Sequence, residues 1–372
     1  MQKRMKRTNI FVDCHVFDDG FQGTTTYLKG LYQELVKDTT IHFFFAGDDV
    51  ENLQKNFGSS PNISYLKYKS KNKFFRLIFD IPKMIKSNNI DFAHFQYIVS
   101  PVKRCKYIVT THDVLFIDFP DYFPRLNALK NKFLYKWSVK ASDVVLTVSE
   151  YSKAQIEKHF AVKNVWITTN AVSEEFFETY EKKKIQDEIF QKHDISKYII
   201  CISRWEPRKK QDLILKSYIN LELYKKYDLV FIGDTTFENK KYNELYANLD
   251  NEIKQKIHTF EKVPFNEMLS FLRGSELLIY PSIAEGFGIP PLESVAAKVP
   301  TITSNATAMS DFDFLKEYSF DPMNQQDFEE KLLLALTIDD LELDEFSTAL
   351  KQKYSWKKAA IAYQEALKTK KP

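Results

Sequence analysis

The sequence predicts an α/β protein built from two doubly wound domains in tandem, and three observations carry that expectation. Short apolar runs alternate with amphipathic stretches along the whole chain, the pattern of parallel sheets covered by helices. The alternation is interrupted between residues 173 and 196, where charged side chains dominate. At 372 residues, 44% of them hydrophobic, the chain is long enough for two cores and too apolar for disorder.

The first domain is expected over residues 1–175, with strands at 9–12, 41–46, 92–96, 107–111, 143–148 and 165–168. A helix over 24–37 lies between the first two, because Tyr27, Leu28, Leu31, Tyr32, Leu35 and Val36 fall on one stripe. Residues 176–196 read as an interdomain connection with some helical content. The second domain, 197–350, repeats the pattern with strands at 198–203, 229–233, 257–260, 276–280 and 299–304. Residues 351–372 close the chain with a docking helix over 355–368, in which Trp356, Ala359, Ala360, Tyr363 and Leu367 keep helical spacing. In open parallel sheets ligands bind outside the carboxyl ends of the strands, so the chemistry is expected in a cleft where two such edges face each other.

No apolar run approaches the ~20 residues that a membrane-spanning helix needs. The basic start (Lys3, Arg4, Lys6, Arg7) is followed by an apolar stretch too short for a secretory signal. Cys14, Cys105 and Cys201 lack C-x-x-C spacing and cannot all pair, which suits a reducing compartment, and the expectation is an unexported, cytoplasmic chain. Charge is uneven: residues 1–175 hold 25 Lys and Arg against 18 Asp and Glu, the remainder 28 against 32. A basic half commonly meets something anionic, though a solvated lysine face needs no partner.

The most informative stretch runs from Tyr280 to Lys298 and contains Glu285-Gly286-Phe287-Gly288-Ile289-Pro290-Pro291-Leu292-Glu293. It reads as strand, glycine loop and helix, an arrangement that offers backbone N–H groups and the positive end of a helix to an anion. Glu285 and Glu293, eight apart across the loop, can accept hydrogen bonds from hydroxyls of one elongated ligand, with Glu293 expected in the helix's first turn. The macrodipole alone also favours an acid there. A second constellation, Arg204-Trp205-Glu206-Pro207-Arg208-Lys209-Lys210, follows the strand at 198–203 and places cations at its carboxyl end. Alone, it reads as a solvated loop face, as lysine runs usually are. In the first domain Gly23 stands where the loop Asp19-Gly20-Phe21-Gln22 meets a helix, although Thr24 to Thr26 can simply cap it. His112, beside Asp113 at a strand end, is a candidate for the same face, and His94 a weaker one. Ser152 and Gln155 have capping-box spacing.

Over residues 9 to about 365 these motifs resemble the retaining glycosyltransferases of family 4, whose signature is E-x(7)-E in an E-G-F-G-x-P-x-L-E setting. The resemblance implies the GT-B fold, two Rossmann-like domains facing across a cleft with the last helix returning to the N-terminal, acceptor-binding one. It implies a nucleoside-diphosphate sugar donor, no metal and no further cofactor. It assigns Glu285 to the transferred sugar, Glu293 to the nucleotide ribose, and the N–H groups of Phe287, Gly288 and Ile289, with Gly286, to the sugar and phosphate site. Arg204 and Lys209, five apart, would hold the diphosphate, with Gly23 facing it and His112 reaching the sugar or acceptor. The segment from His112 to Pro120 looks most like mannosyltransferase-like members that build bacterial surface polysaccharide, with a glycan or lipid-linked acceptor.

Two basic segments remain. Lys67, Lys69, Lys71, Lys73 and Arg76 interleave with Phe74, Phe75 and Phe79, as in surfaces that settle on anionic lipid, and residues 125–140 carry Lys130, Lys132, Lys136 and Trp137. Solvated faces over a buried aromatic side are the competing reading. No nucleic-acid module is recognisable. A non-catalytic nucleotide- or sugar-binding module is one rival function. A dinucleotide-dependent oxidoreductase is another, and it lacks its G-x-G-x-x-G after the first strand. Asp311-Phe312-Asp313 fits the D-x-D of metal-dependent transferases but follows the glycine-loop helix, and is read as chance.

Overall fold

The computed structural model describes residues 7–18 and 23–370. The chain divides into two compact units. Residues 1–171 with 355–372 form one, and residues 172–354 the other.

The first unit is a seven-stranded sheet: β1 (Thr8–Asp13), β2 (Ile41–Gly47), β3 (Ile63–Lys67), β4 (Phe92–Gln96), β5 (Lys106–Thr110), β6 (Val144–Thr147) and β7 (Trp166–Ile167). Their spatial order is β3-β2-β1-β4-β5-β6-β7, with every pair parallel. The six strands expected from apolar runs are present. β3 was not expected, because its residues are only half-buried and run straight into the lysine segment. The order reverses between β1 and β4, which opens a crevice at their carboxyl ends.

Helix Gly23–Leu35 covers one face of this sheet and buries Tyr27, Leu28, Leu31, Tyr32 and Leu35. The terminal helix Trp356–Lys368, capped by Ser355, packs against it. Gly30 makes the approach feasible: a Cβ there would lie 2.0 Å from the Trp356 indole. Tyr32 OH is 3.0 Å from Tyr363 OH, and Gln364 donates to Asp38 at 3.0 Å. Helix Glu150–Phe160 is capped by Ser149, whose Oγ accepts the Ser152 N–H, so the cap lies three residues before the expected Ser152.

The second unit is a six-stranded sheet: β8 (Tyr198–Ile202), β9 (Asp228–Ile232), β10 (Ile257–Phe260), β11 (Leu277–Tyr280), β12 (Thr301–Ser304) and β13 (Ser319–Phe320). The order is β10-β9-β8-β11-β12-β13, again all parallel, and it reverses between β8 and β11. The five strands expected here are present, and β13, only two residues long, left no run to read. The stretch taken for a connection holds helix Lys182–His193, which packs on helix Phe265–Gly274 of this unit and donates from Gln186 to the Gly274 carbonyl at 3.0 Å. Among the described residues no helix is long and apolar enough to cross a membrane.

Candidate active site

In the second unit the two motifs meet at the β8/β11 reversal. Residues after β8 form a short 3-10 turn, Pro207–Lys209, and those after β11 form the glycine loop. The Ile283 N–H donates to the Arg208 carbonyl at 2.9 Å, tying the loops together through the main chain. Three donors converge on Glu285 Oε1: the Lys209 ammonium, Tyr280 OH at 3.0 Å and Arg208 Nη1 at 3.2 Å. Arg208 also reaches Glu206 at 2.7 Å and the Ala284 carbonyl. Burial pushes the Glu285 carboxyl up, but Lys209 and Arg208 together bring it down to about 2, so it is ionised at neutral pH. Burial likewise pulls the Lys209 ammonium down, and facing Glu285 counteracts that.

Arg204 behaves differently. It is exposed, and among the described residues its guanidinium has no hydrogen-bond or ion-pair partner, whereas Lys209 is buried against Glu285 and Tyr280. The five-residue spacing therefore separates one free cation from one that is held. Arg208 and Tyr280, which complete the Glu285 cluster, were not read as its partners because sequence spacing does not show which cation of a run turns inward.

Helix Ile289–Ala296 begins after Gly288, whose φ of 93° is left-handed, and a Cβ there would approach the Met309 sulfur to 3.2 Å. With Pro290 and Pro291 carrying no N–H, the open donors at this helix start are those of Phe287, Gly288 and Ile289; among the described residues they donate to no acceptor. The Phe287 ring itself is buried against Phe312 and Tyr354. Because the helix starts at Ile289, Glu293 lies past the first turn, not within it, which weakens a macrodipole explanation for an acid there. Glu293 is half-buried, its carboxylate has no partner among the described residues, and burial raises it to about 7. Asp313 pairs with Lys353 at 2.9 Å.

In the first unit His112 follows β5 and is buried. Its partner is Gln96, at the end of β4, and not the adjacent Asp113: Nε2 lies 2.8 Å from Gln96 Oε1, which can only accept, so Nε2 carries the proton and Nδ1 is the acceptor nitrogen. Burial lowers His112 to about 3. His94 is fully buried between Tyr32 and Thr110, each 2.7 Å away, and has a structural role. Gly23 begins its helix, is exposed, and has open space where a Cβ would stand. The rest of its loop, Asp19 to Gln22, lies outside the described residues.

The lysine segment is corrected at one position. Arg76 is only 7% exposed and cannot meet a surface, because it lies within the turn of helix that buries it with Leu77 and Asp80. Lys67, Lys69, Lys71 and Lys73 are exposed, and Lys71 pairs with Asp48 at 3.1 Å.

Residues 182–353 match the family model described as Glycosyl transferases group 1, and residues 21–176 the one described as Glycosyltransferase Family 4. The chain belongs to this glycosyltransferase family. Relatives of this glycosyltransferase include the O-antigen chain mannosyltransferase RfbU of Salmonella typhimurium, 31% identical over 53% of this chain. The match spans 51% of RfbU, about half its length. The uncharacterized glycosyltransferase MJ1178 of Methanocaldococcus jannaschii is 22% identical over 91% of this chain and 92% of its own. Among solved structures, a glycosyltransferase from Rickettsia africae superposes with a TM-score of 0.73 at 19% identity, covering 98% of this chain and 99% of that one. Anabaena Alr3699/HepE, solved with UDP and glucose, gives 0.70 at 12% identity, covering 98% and 100%. The glycosyltransferase thus has the GT-B fold, two Rossmann-like domains with parallel sheets.

Proposed function

We propose that this chain is a retaining, metal-independent glycosyltransferase that moves a hexosyl group, with mannosyl favoured, from a nucleoside-diphosphate sugar onto a glycan or lipid-linked acceptor in surface polysaccharide synthesis. The observation that carries this reading is the glycine loop at the β8/β11 reversal, where three open N–H groups, one unpaired cation and two differently poised glutamates stand on joined loops. The relatives named as O-antigen mannosyltransferases support the choice of sugar and product class.

In this reading Arg204 and the N–H groups of Phe287, Gly288 and Ile289 take the diphosphate, and they stabilise the charge that develops as it leaves. Lys209 contributes through its grip on Glu285. Glu285, ionised, offers Oε2 to hydroxyls of the transferred sugar, and Glu293 accepts from the ribose. The bond from the sugar's anomeric carbon to the diphosphate breaks while the acceptor oxygen bonds to the same face. The departing phosphate oxygen takes the acceptor's proton. His112, neutral and fixed by Gln96, accepts from a hydroxyl through Nδ1. No step calls on a metal ion or a cofactor.

The basic first unit would hold the enzyme at the inner face of the cytoplasmic membrane. Exposed Phe74, Phe75 and Phe79 stand with Lys73, and helix Arg125–Ala141 exposes Leu126, Leu129 and Phe133 among Lys130 and Lys132. The function is tested by offering GDP- and UDP-sugars with chelator present and scoring nucleotide release by wild type and Glu293→Ala. Release that needs a divalent ion, or that is equal in the variant, overturns the corresponding assignment.

A further inference from the structure

An unbroken line of polar side chains runs from the terminal helix to His112, all within the first unit. Side chains alternate along β4, so His94 and Gln96, two apart, share one face, and Thr110 of β5 stands opposite Gln96 in the register. Tyr363 OH lies 3.0 Å from Tyr32 OH, which lies 2.7 Å from His94 Nδ1. On the far side of that ring, Nε2 is 3.3 Å from Gln96 Nε2, and Gln96 Oε1 is 2.8 Å from His112 Nε2. Tyr363, Tyr32, His94, Gln96 and His112 are all buried.

Each member of this line fixes the next. Gln96 Oε1 accepts the His112 Nε2 proton, which turns the amide's N–H groups toward His94 Nε2, so that nitrogen is bare. Burial lowers His94 to about 3, so the ring is neutral and its single proton sits on Nδ1, donating to the Tyr32 oxygen. The Tyr32 hydroxyl in turn donates to Tyr363, and Thr110, 2.7 Å from the bare His94 nitrogen, donates to it alongside Gln96. Packing does not make this choice. The Tyr27 and Tyr97 rings lie against the His112 imidazole with centroids 4.9 and 5.3 Å away, which holds its plane and leaves the position of its proton open.

We propose that His94 is a positioning residue for transfer: by accepting from the Gln96 amide it keeps Oε1 turned to His112, and so leaves His112 Nδ1 as the nitrogen that receives a substrate hydroxyl. Tyr32 and, through it, Tyr363 of the terminal helix hold His94 in the tautomer this requires. The competing arrangement is the same line with every proton reversed, in which Gln96 donates to His112 and Nδ1 carries the proton and accepts nothing. The inference rests on His112 acting on a hydroxyl, as read above, and adds what decides which of its nitrogens does so.

The first measurement needs neither a variant nor a sugar donor. Nitrogen-15 NMR of the histidine rings in the free protein reads which nitrogens are protonated, and the expected result is Nε2–H at His112 with Nδ1–H at His94. The reversed pair overturns the proposal. Tyr32→Phe removes the acceptor of His94 Nδ1–H, so the His94 proton should move to Nε2, the Gln96 amide should turn, and His112 should become protonated on Nδ1. Transfer should then fall about tenfold in kcat, the worth of one hydrogen bond, with the donor's KM changed by less than about twofold. His94→Gln, whose amide oxygen can stand where Nε2 stood, should keep the wild-type His112 spectrum, and His94→Phe should lose it. Because Tyr32→Phe deletes a single oxygen, the test does not depend on His94→Phe folding. An unchanged His112 spectrum in Tyr32→Phe, or a changed spectrum with unchanged kcat, overturns the positioning role. A shifted tautomer in a protein whose wild type transfers no sugar would leave the line of hydrogen bonds standing and remove the transfer reading instead.

Discussion

The main-chain N–H of Ile283 and the carbonyl of Arg208, 2.9 Å apart, make the basic loop and the glycine loop a single body. Because that bond needs no side chain, the cluster around Glu285 can be altered one group at a time without releasing the loops.

Lys209→Met should destabilise the second unit by about 3 kcal/mol, since it leaves Glu285 buried without its closest counter-charge. Adding Glu285→Gln should restore most of that loss, and both proteins should lack transfer. Urea unfolding of the two single variants and the double variant reads the coupling directly.

Glu293 and Glu285 should respond to pH in opposite senses. Glu293 rises from an ordinary 4.5 to about 7 on folding, so its protonated form favours the folded state below pH 4.5, and that benefit fades as pH climbs through 7. Glu293→Gln should therefore raise stability by about 1–3 kcal/mol at pH 8, leave it unchanged at pH 4, and weaken nucleotide binding at both. Glu285 falls from 4.5 to about 2, so its contribution is present above pH 4.5 and disappears as pH drops toward 2. Thermal melts and nucleotide titrations across this range measure both.

Gln96→Glu should turn His112 into a titrating group. In the wild type burial keeps the imidazole neutral, so the pH profile of transfer carries no limb from it between pH 5 and 8. A carboxylate at 2.8 Å in place of the amide oxygen favours the imidazolium, and a new limb should appear in that window. Imidazole NMR shifts of His112 provide the check.

Gly30→Ala should destabilise the first unit by about 1–3 kcal/mol, because the added methyl meets the Trp356 ring. Pairing it with Trp356→Leu, which clears the space, should recover part of the loss. Circular-dichroism melts report on both proteins.

The elements that bury a continuous apolar run, such as Ile41–Gly47 or Tyr198–Ile202, were legible because burial on both faces writes itself into composition. Ile63–Lys67 was not, since a strand that is half-buried along its length has no such run, and its lysines resemble a surface loop. The candidate site was legible as far as its loops reach: Gly288, the two glutamates and the cation run are local patterns. Which cation turns inward is decided across the sheet, by Glu285 and Tyr280, some 71 to 76 positions away. Gln96 escaped for the same reason, lying one strand from His112. Arg76 shows the converse, a residue whose neighbours in sequence suggest exposure and whose neighbours in space bury it.

Helix Trp356–Lys368 belongs to the unit that holds β1, while residues 172–354 form the other. On the ribosome, then, the sheet that holds β1 emerges before its covering helix and stays open along Gly30 and Tyr32 until residues 356–368 have been translated. The intervening unit has all its own residues sooner, so the order of maturation inverts the order of synthesis.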